Sequence, residues 1–395
     1  MKITWFRHHH ENRNDLLRFG FMRLHYADQL HYKEVPFADA AKAAFSKKIM
    51  DYPDHRHLSF ILVEWGRSKV RCLVDNEDSF ALITPLVAEV DVCFCAGYNA
   101  DFFEKKQFVD AYSWQTENDL QGYRQLIEEK IDSFGDHFHK IRRFIPIGPN
   151  LGAAAPRSRW KQKVANLVHR VNSVMGKGDD FQNMYEAFEK RQAYLNALRH
   201  EKMAYDVVLH DSLWGWPRHR VNLHKRLQTL SQKNYRIHSI LNWNAPVGID
   251  GSDLQPFAAT EFPIKTNPID QPYELMLAQS RLAVFATGFH WGWRNIMMLA
   301  LQAGIPVLTD RLLTEPYFDM NEFKVFQQED HTWGSVEALL STISEAKWEE
   351  WKEHNQTVYD LYMSPEAVAN YFITTIHQNS QNEYKPATKH RTHPA

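Results

Sequence analysis

The chain has 395 residues, 44% hydrophobic and 13% aromatic, with 46 Lys and Arg against 48 Asp and Glu and a formal net charge of −2. That is apolar matter for two ordinary cores in a chain too long for one compact domain, so two domains are expected. The balanced charge excludes a global basic field for nucleic acid, and any anion site must be local.

In chain order, the first residues, MKITWFRHHHENRND, lack the apolar stretch of a signal peptide. No uninterrupted apolar run approaches the ~20 residues of a membrane span, and a cytoplasmic protein is expected. The consecutive histidines His8, His9 and His10 cannot converge on one tetrahedral ion, so they read as a surface segment and no metal ligand is assigned. A helix-compatible stretch, Asp39–Met50, precedes strands at Leu58–Trp65, Val70–Val74 and Ala88–Cys95; another, Leu120–Phe138, precedes a strand at Arg143–Gly148. Cys72, Cys93 and Cys95 cannot build a disulfide framework and read as reduced core residues. Glu64 and Asp75, each at a strand end, are the carboxylate candidates for a general base, with His55 and His57 in the same half.

A Pro- and Gly-rich break over Pro146–Pro156 ends a first domain, 1–155. Residues 156–204 read as a helical linker. In it Trp160, Val164, Leu167, Val168 and Val171 share one face among Arg157, Arg159, Lys161, Lys163 and Arg170. Such a helix, 157–171, either packs on a neighbouring domain or lies on an anionic inner-membrane face, where it would suit a lipid-linked acceptor.

From Tyr205 strands and helices alternate, giving a second domain, 205–377. The elements are strand Asp206–His210, helix Arg218–Gln232, strand Tyr235–Trp243, helix Glu274–Gln279, strand Arg281–Ala286, helix Trp293–Ala303 closed by Gly304, and strands Ile305–Thr309 and Lys324–Gln327. Helices Ser335–Ser344, Trp348–Met363 and Pro365–His377 complete it, and 378–395 read as a disordered tail. The loop Thr287–Gly292 falls at the carboxyl end of a buried strand, where open α/β sheets bind ligands. Its glycines admit close backbone approach, while the following helix start and Arg294 favour a phosphate or diphosphate. The candidate ligand-binding residues are Gly288, His290, Gly292, Trp293, Arg294, Arg311 and Glu315; Arg218 and Arg220 follow the first strand of the domain and could reach the same crevice.

This succession of strand, glycine loop, arginine, helix, Ala-Gly-Ile-Pro-Val strand and acidic loop with Pro and Phe resembles the donor half of GT-B glycosyltransferases over roughly Tyr205–Ile376. The exostosin-like and bacterial surface-polysaccharide branches are nearest. The resemblance implies an α/β fold of two Rossmann-like domains facing a cleft, with Gly288, Gly292 and Arg294 near the donor diphosphate and Glu315 near the donor sugar or ribose. Many relatives carry a ribose-binding Glu five residues before the helix-ending glycine; here that position is Leu299, so either Glu315 substitutes or nucleotide recognition differs. The D-x-D motif of a Mg²⁺ or Mn²⁺ donor site does not occur, and a metal-independent enzyme without further cofactor is expected. Such an enzyme would move sugar from a nucleoside-diphosphate donor to a glycan or lipid-linked glycan, as in polysaccharide biosynthesis. The alternatives are a noncatalytic nucleotide-sugar or carbohydrate-binding protein on the same scaffold and a nonhydrolysing sugar-nucleotide epimerase.

Overall fold

The computed structural model describes residues 1–8, 13–37, 41–53, 57–108, 117–146, 148, 151, 181–212, 217–242, 272–287 and 292–383. The strands are β1 (Lys2–Arg7), β2 (His31–Pro36), β3 (Leu58–Trp65), β4 (Ser68–Asp75), β5 (Val92–Cys95), β6 (Ile141–Arg143), β7 (Tyr205–Ser212), β8 (Ile237–Asn242), β9 (Ser280–Phe285), β10 (Val307–Asp310) and β11 (Val325–Gln328). The α-helices are α1 (Asp15–Tyr26), α2 (Lys47–Met50), α3 (Ala100–Phe103), α4 (Glu117–Phe134), α5 (Phe181–Ala197), α6 (Pro217–Ser231), α7 (Tyr273–Ala278), α8 (Asn295–Ala303), α9 (Ser335–Thr342), α10 (Glu345–Met363) and α11 (Pro365–Glu383).

The first sheet runs β2-β1-β3-β4-β5-β6 and is mixed, because β3 pairs antiparallel with both β1 and β4 while the other neighbours pair parallel. Three of its opening elements, β1, α1 and β2, are absent from the sequence reading. Residues 14–22 are all buried, the polar Asn14, Asp15 and Arg18 included, so burial of α1 does not follow the polarity of its sequence. Through Phe21 α1 meets Trp5 and Tyr32 of the sheet and, at 5.3 Å, Phe372 of α11, while its Gly20 lies against Pro365 and Ala369 of that helix. Its buried Arg18 is held by Asp15 at 3.0 Å and by Glu34 through Nε at 3.1 Å and Nη2 at 2.9 Å, the condition on which a charge stays inside a core.

Other boundaries also shift. In the described part of the Asp39–Met50 stretch Ala41 is helical and α2 forms the end; Pro85–Glu89 forms a 3₁₀ turn, so β5 starts at Val92. In place of the strand expected at Arg143–Gly148, β6 starts two residues earlier and ends at Arg143, five residues earlier. The basic 157–171 stretch lies outside the described residues.

The second sheet, β11-β10-β9-β7-β8, is parallel throughout, and its strands are the expected ones. Gly304 ends α8 at φ 92°, and a Cβ there would stand 2.4 Å from Lys352 O, so left-handed backbone and close packing both demand glycine. Ser364 interrupts the helical run with extended backbone, and α11 crosses onto the first domain. Gly20 of α1 permits the crossing, since a Cβ there would lie 2.0 Å from Pro365 O, and Phe372 stacks on Phe94 at 4.5 Å. Helix α11 continues to Glu383, into the stretch read as a tail. The result sets the carboxyl ends of β4 and β5 against those of β9 and β10, and loops from both sheets meet in one crevice.

Candidate active site

On the second-domain side, Asp211 at the end of β7 is the centre. Arg220, one turn into α6, donates to Asp211 Oδ1 at 2.7 Å, and Arg294, the residue before α8, donates to the same oxygen at 2.6 Å. Alternation puts Val207, Leu209 and Asp211 on the sheet face that packs under α6, which explains why a carboxylate ends an apolar strand pointing at a helix start. Arg220 also donates to Thr287 O at 3.1 Å and Arg294 to Ala286 O at 3.4 Å, so both guanidiniums tie β7 to the end of β9. Burial alone would push Asp211 up, yet Arg220 and Arg294 hold it down at about 2. Burial, with Arg294 beside it, pulls Arg220 to about 10. Asp211 and Arg220 are sealed from solvent while Arg294 keeps 17% of its side chain exposed. Two guanidiniums meet on one carboxylate at the amino end of α8, with Asp310 also acting on Arg220 and Asp78 on Arg294.

The base of the crevice is fixed by Asp310, whose Oδ1 accepts from Thr287 N–H at 2.6 Å and whose Oδ2 lies 2.6 Å from His219 Nε2. Burial brings His224 down to about 4, and burial followed by the neighbouring His238 brings His210 down to about 4.

On the first-domain side the loop after β4 reads Asp75-Asn76-Glu77-Asp78. Asp75, one of the two base candidates, is buried and organises this loop, accepting from Thr84 N–H at 2.7 Å and Glu77 N–H at 3.0 Å. Of its neighbours, Asp78 lies against the second domain, its backbone O under Gly292 and its carboxyl in the field of Arg294. Burial, then the adjacent Asp78, pushes the Glu77 carboxyl well above the usual range, and burial raises Asp78 as well. His57 Nε2 stands 3.2 Å from Glu77 Oε2. Gly97 and Gly292 clasp the loop from opposite domains: a Cβ on Gly97 would meet Ser79 C at 2.7 Å, and one on Gly292 would meet Asp78 O at 2.0 Å.

The remaining sequence candidates fall elsewhere. Glu64 pairs in register with Lys2 and Lys69, whose ammonium groups lie 2.8 and 3.1 Å from it. Because β3 runs antiparallel, this is the sheet edge opposite the crevice, six residues and about 20 Å from the β3 start that borders Asp75. Glu315 is engaged by the first domain: its Oε1 accepts from Ala100 N–H at 2.8 Å and its Oε2 lies 3.0 Å from Arg143. Trp293 is fully buried core, Leu299 packs against that core, and Arg311 lies 3.3 Å from Glu329. Gly288 and His290 lie outside the described residues, as does the side chain of Arg218. Asp211, Glu77 and Asp78 were missed; their signal was an acidic residue directly after each strand end, read only as far as Asp75.

No protein-family model matches the chain, and no curated protein matches it. Among solved structures it is similar to an alpha,alpha-trehalose-phosphate synthase (UDP-forming) from Burkholderia vietnamiensis, with 11% identity, a TM-score of 0.35 and coverage of 74% of this chain and 61% of that one. It is also similar to the spinosyn forosaminyltransferase SpnP, with 9% identity, a TM-score of 0.35 and coverage of 95% of this chain and 98% of that one. Likenesses this distant bear on neither the reaction nor the substrates of this chain. No described helix is long and apolar enough to cross a membrane, and among the described residues no group of three or more His, Cys, Asp or Glu side chains could hold a metal ion.

Proposed function

We propose that the chain is a GT-B glycosyltransferase that moves a sugar from a nucleoside-diphosphate donor to a hydroxyl of a glycan or lipid-linked glycan. The observation that carries this reading is the Arg220–Asp211–Arg294 cluster at the start of α8, facing the Glu77–Asp78 carboxyl pair across the crevice. A donor diphosphate would sit against Arg294 and the α8 start, where a fixed cation and aligned backbone dipoles stabilise the negative charge that builds on the leaving group. As the bond from the sugar C1 to the phosphate oxygen breaks, the electron pair leaves with the diphosphate. The acceptor oxygen bonds to C1, and its proton passes to a carboxylate of the Glu77–Asp78 pair, whose raised proton affinity suits a base. Activity is expected to persist in EDTA, because guanidiniums rather than a divalent ion meet the diphosphate charge.

Arg294→Ala tests the reading. Affinity for whichever of the UDP, GDP, ADP or dTDP sugars stabilises the wild type in a thermal-shift screen should fall by about 1.5–3 kcal/mol, the scale of a hydrogen bond to a charged group. Unchanged affinity removes Arg294 from the site. The noncatalytic alternative draws on Leu299 and on the engagement of Glu315 by the first domain. It requires that a bound donor be neither hydrolysed nor transferred.

A further inference from the structure

The loop after β10 is joined across the crevice to the loop after β5 at two residues, Leu313, which is buried in the first-domain core, and Glu315. Glu315 N–H donates to Tyr98 O at 2.6 Å, its Oε1 accepts from Ala100 N–H at 2.8 Å, and its Oε2 lies 3.0 Å from an Arg143 guanidinium nitrogen. Beside it Asn99 Nδ2 donates to Leu313 O at 2.6 Å. The Glu315 and Arg143 side chains keep 39% and 43% of their surface exposed, so water competes for them and the junction can break reversibly. The α1–α11 crossing is of the opposite kind, with Phe21, Phe94 and Phe372 packed dry. The loop bearing Glu315 begins directly after Asp310, the residue that fixes the floor of the crevice through Thr287. A second contact between the edges is backbone on backbone, Gly292 over Asp78.

We propose that Glu315 is a closure latch: it holds the two sheet edges together, and its release lets the crevice open about the permanently packed α1–α11 side. This rests on contacts between the domains alone and stands or falls independently of glycosyl transfer.

Hydrogen exchange and small-angle X-ray scattering on the full chain without ligand test it. In Glu315→Ala, exchange should accelerate roughly tenfold, the worth of about one net hydrogen bond, in 96–104, 311–316 and the 292–294 segment, which the side chain does not touch. The radius of gyration should rise while protection in α1 and α11 stays at the wild-type level. Gly292→Ala, a wedge placed at the other contact, should accelerate exchange at Ala100 and Glu315 in the same way. Acceleration confined to Ala100 in Glu315→Ala, with no effect of Gly292→Ala and an unchanged radius, would reduce Glu315 to a local cap and overturn the latch. If Glu315→Ala loses protection in α1 and α11, Arg143→Met decides instead: several-fold faster exchange in both loops supports the latch, and wild-type exchange overturns it.

Discussion

On the first-domain edge of the crevice, carboxyl groups stand together, Asp75, Glu77 and Asp78, and burial keeps Glu77 and Asp78 from ionising easily. On the second-domain edge two guanidiniums close on the single carboxylate of Asp211 and hold it fully ionised. Both edges are built from the same element, a loop at the carboxyl end of a parallel strand. The difference lies in what each buried charge finds as a partner. Where the partner is of opposite sign the ion pair becomes part of the fold; where it is of like sign the proton affinity rises, and a carboxylate of the pair takes up a proton more readily.

The comparison breaks most visibly at Asp211. Asp211→Asn leaves Arg220 buried with no anionic partner at that oxygen, and an expected loss of about 3–5 kcal/mol should appear in urea unfolding. A loss below 1 kcal/mol would mean that the cluster is not part of the fold. Acid should separate the two edges next. His224 has a folded value of about 4 against an ordinary 6.5, so between these the unfolded chain binds more protons and stability falls as pH drops. His224 contributes about 3 kcal/mol to that loss, and His224→Gln should remove this share while His210, also held near 4, keeps its own. Glu77 carries the opposite sign. Its raised folded value means that the native state binds more protons, and the stabilisation is lost as pH rises through that value. Glu77→Gln should therefore gain on the wild type by about 1 kcal/mol at pH 8 and lose the gain towards pH 4, the scale of one like-charge contact. A difference independent of pH would show that the Glu77–Asp78 pair is not coupled. The smallest effect is expected at Glu64, where Glu64→Gln removes a surface ion pair worth about 0.2–1 kcal/mol and should leave any turnover intact.

The second domain was the more legible in the sequence. Its strands β7, β9 and β10 are short apolar runs buried on both faces, and Gly304 marks the end of α8 by a rule that depends on one residue. In the first domain the same cues failed. Helix α1 buries Asp15 and Arg18 along with its apolar residues, so its burial does not follow the polarity of the sequence, and β1 ends at Arg7 just before the histidines expected as a surface segment.

The sequence by itself determined the alternation of elements after Tyr205, the glycine loop before α8 and the cation beside it, because each follows from neighbours within a few positions along the chain. Only the tertiary structure decided what those groups meet. Strand direction in β3 carried Glu64 to the far edge, and the facing of two sheets gave Glu315 to Tyr98, Ala100 and Arg143. Packing under α6 brought Arg220 and Arg294, 74 residues apart in a chain where no local pattern links them, onto the same oxygen of Asp211. Charge partners are chosen by distance in space, and sequence spacing reports that distance only within a single helix or strand.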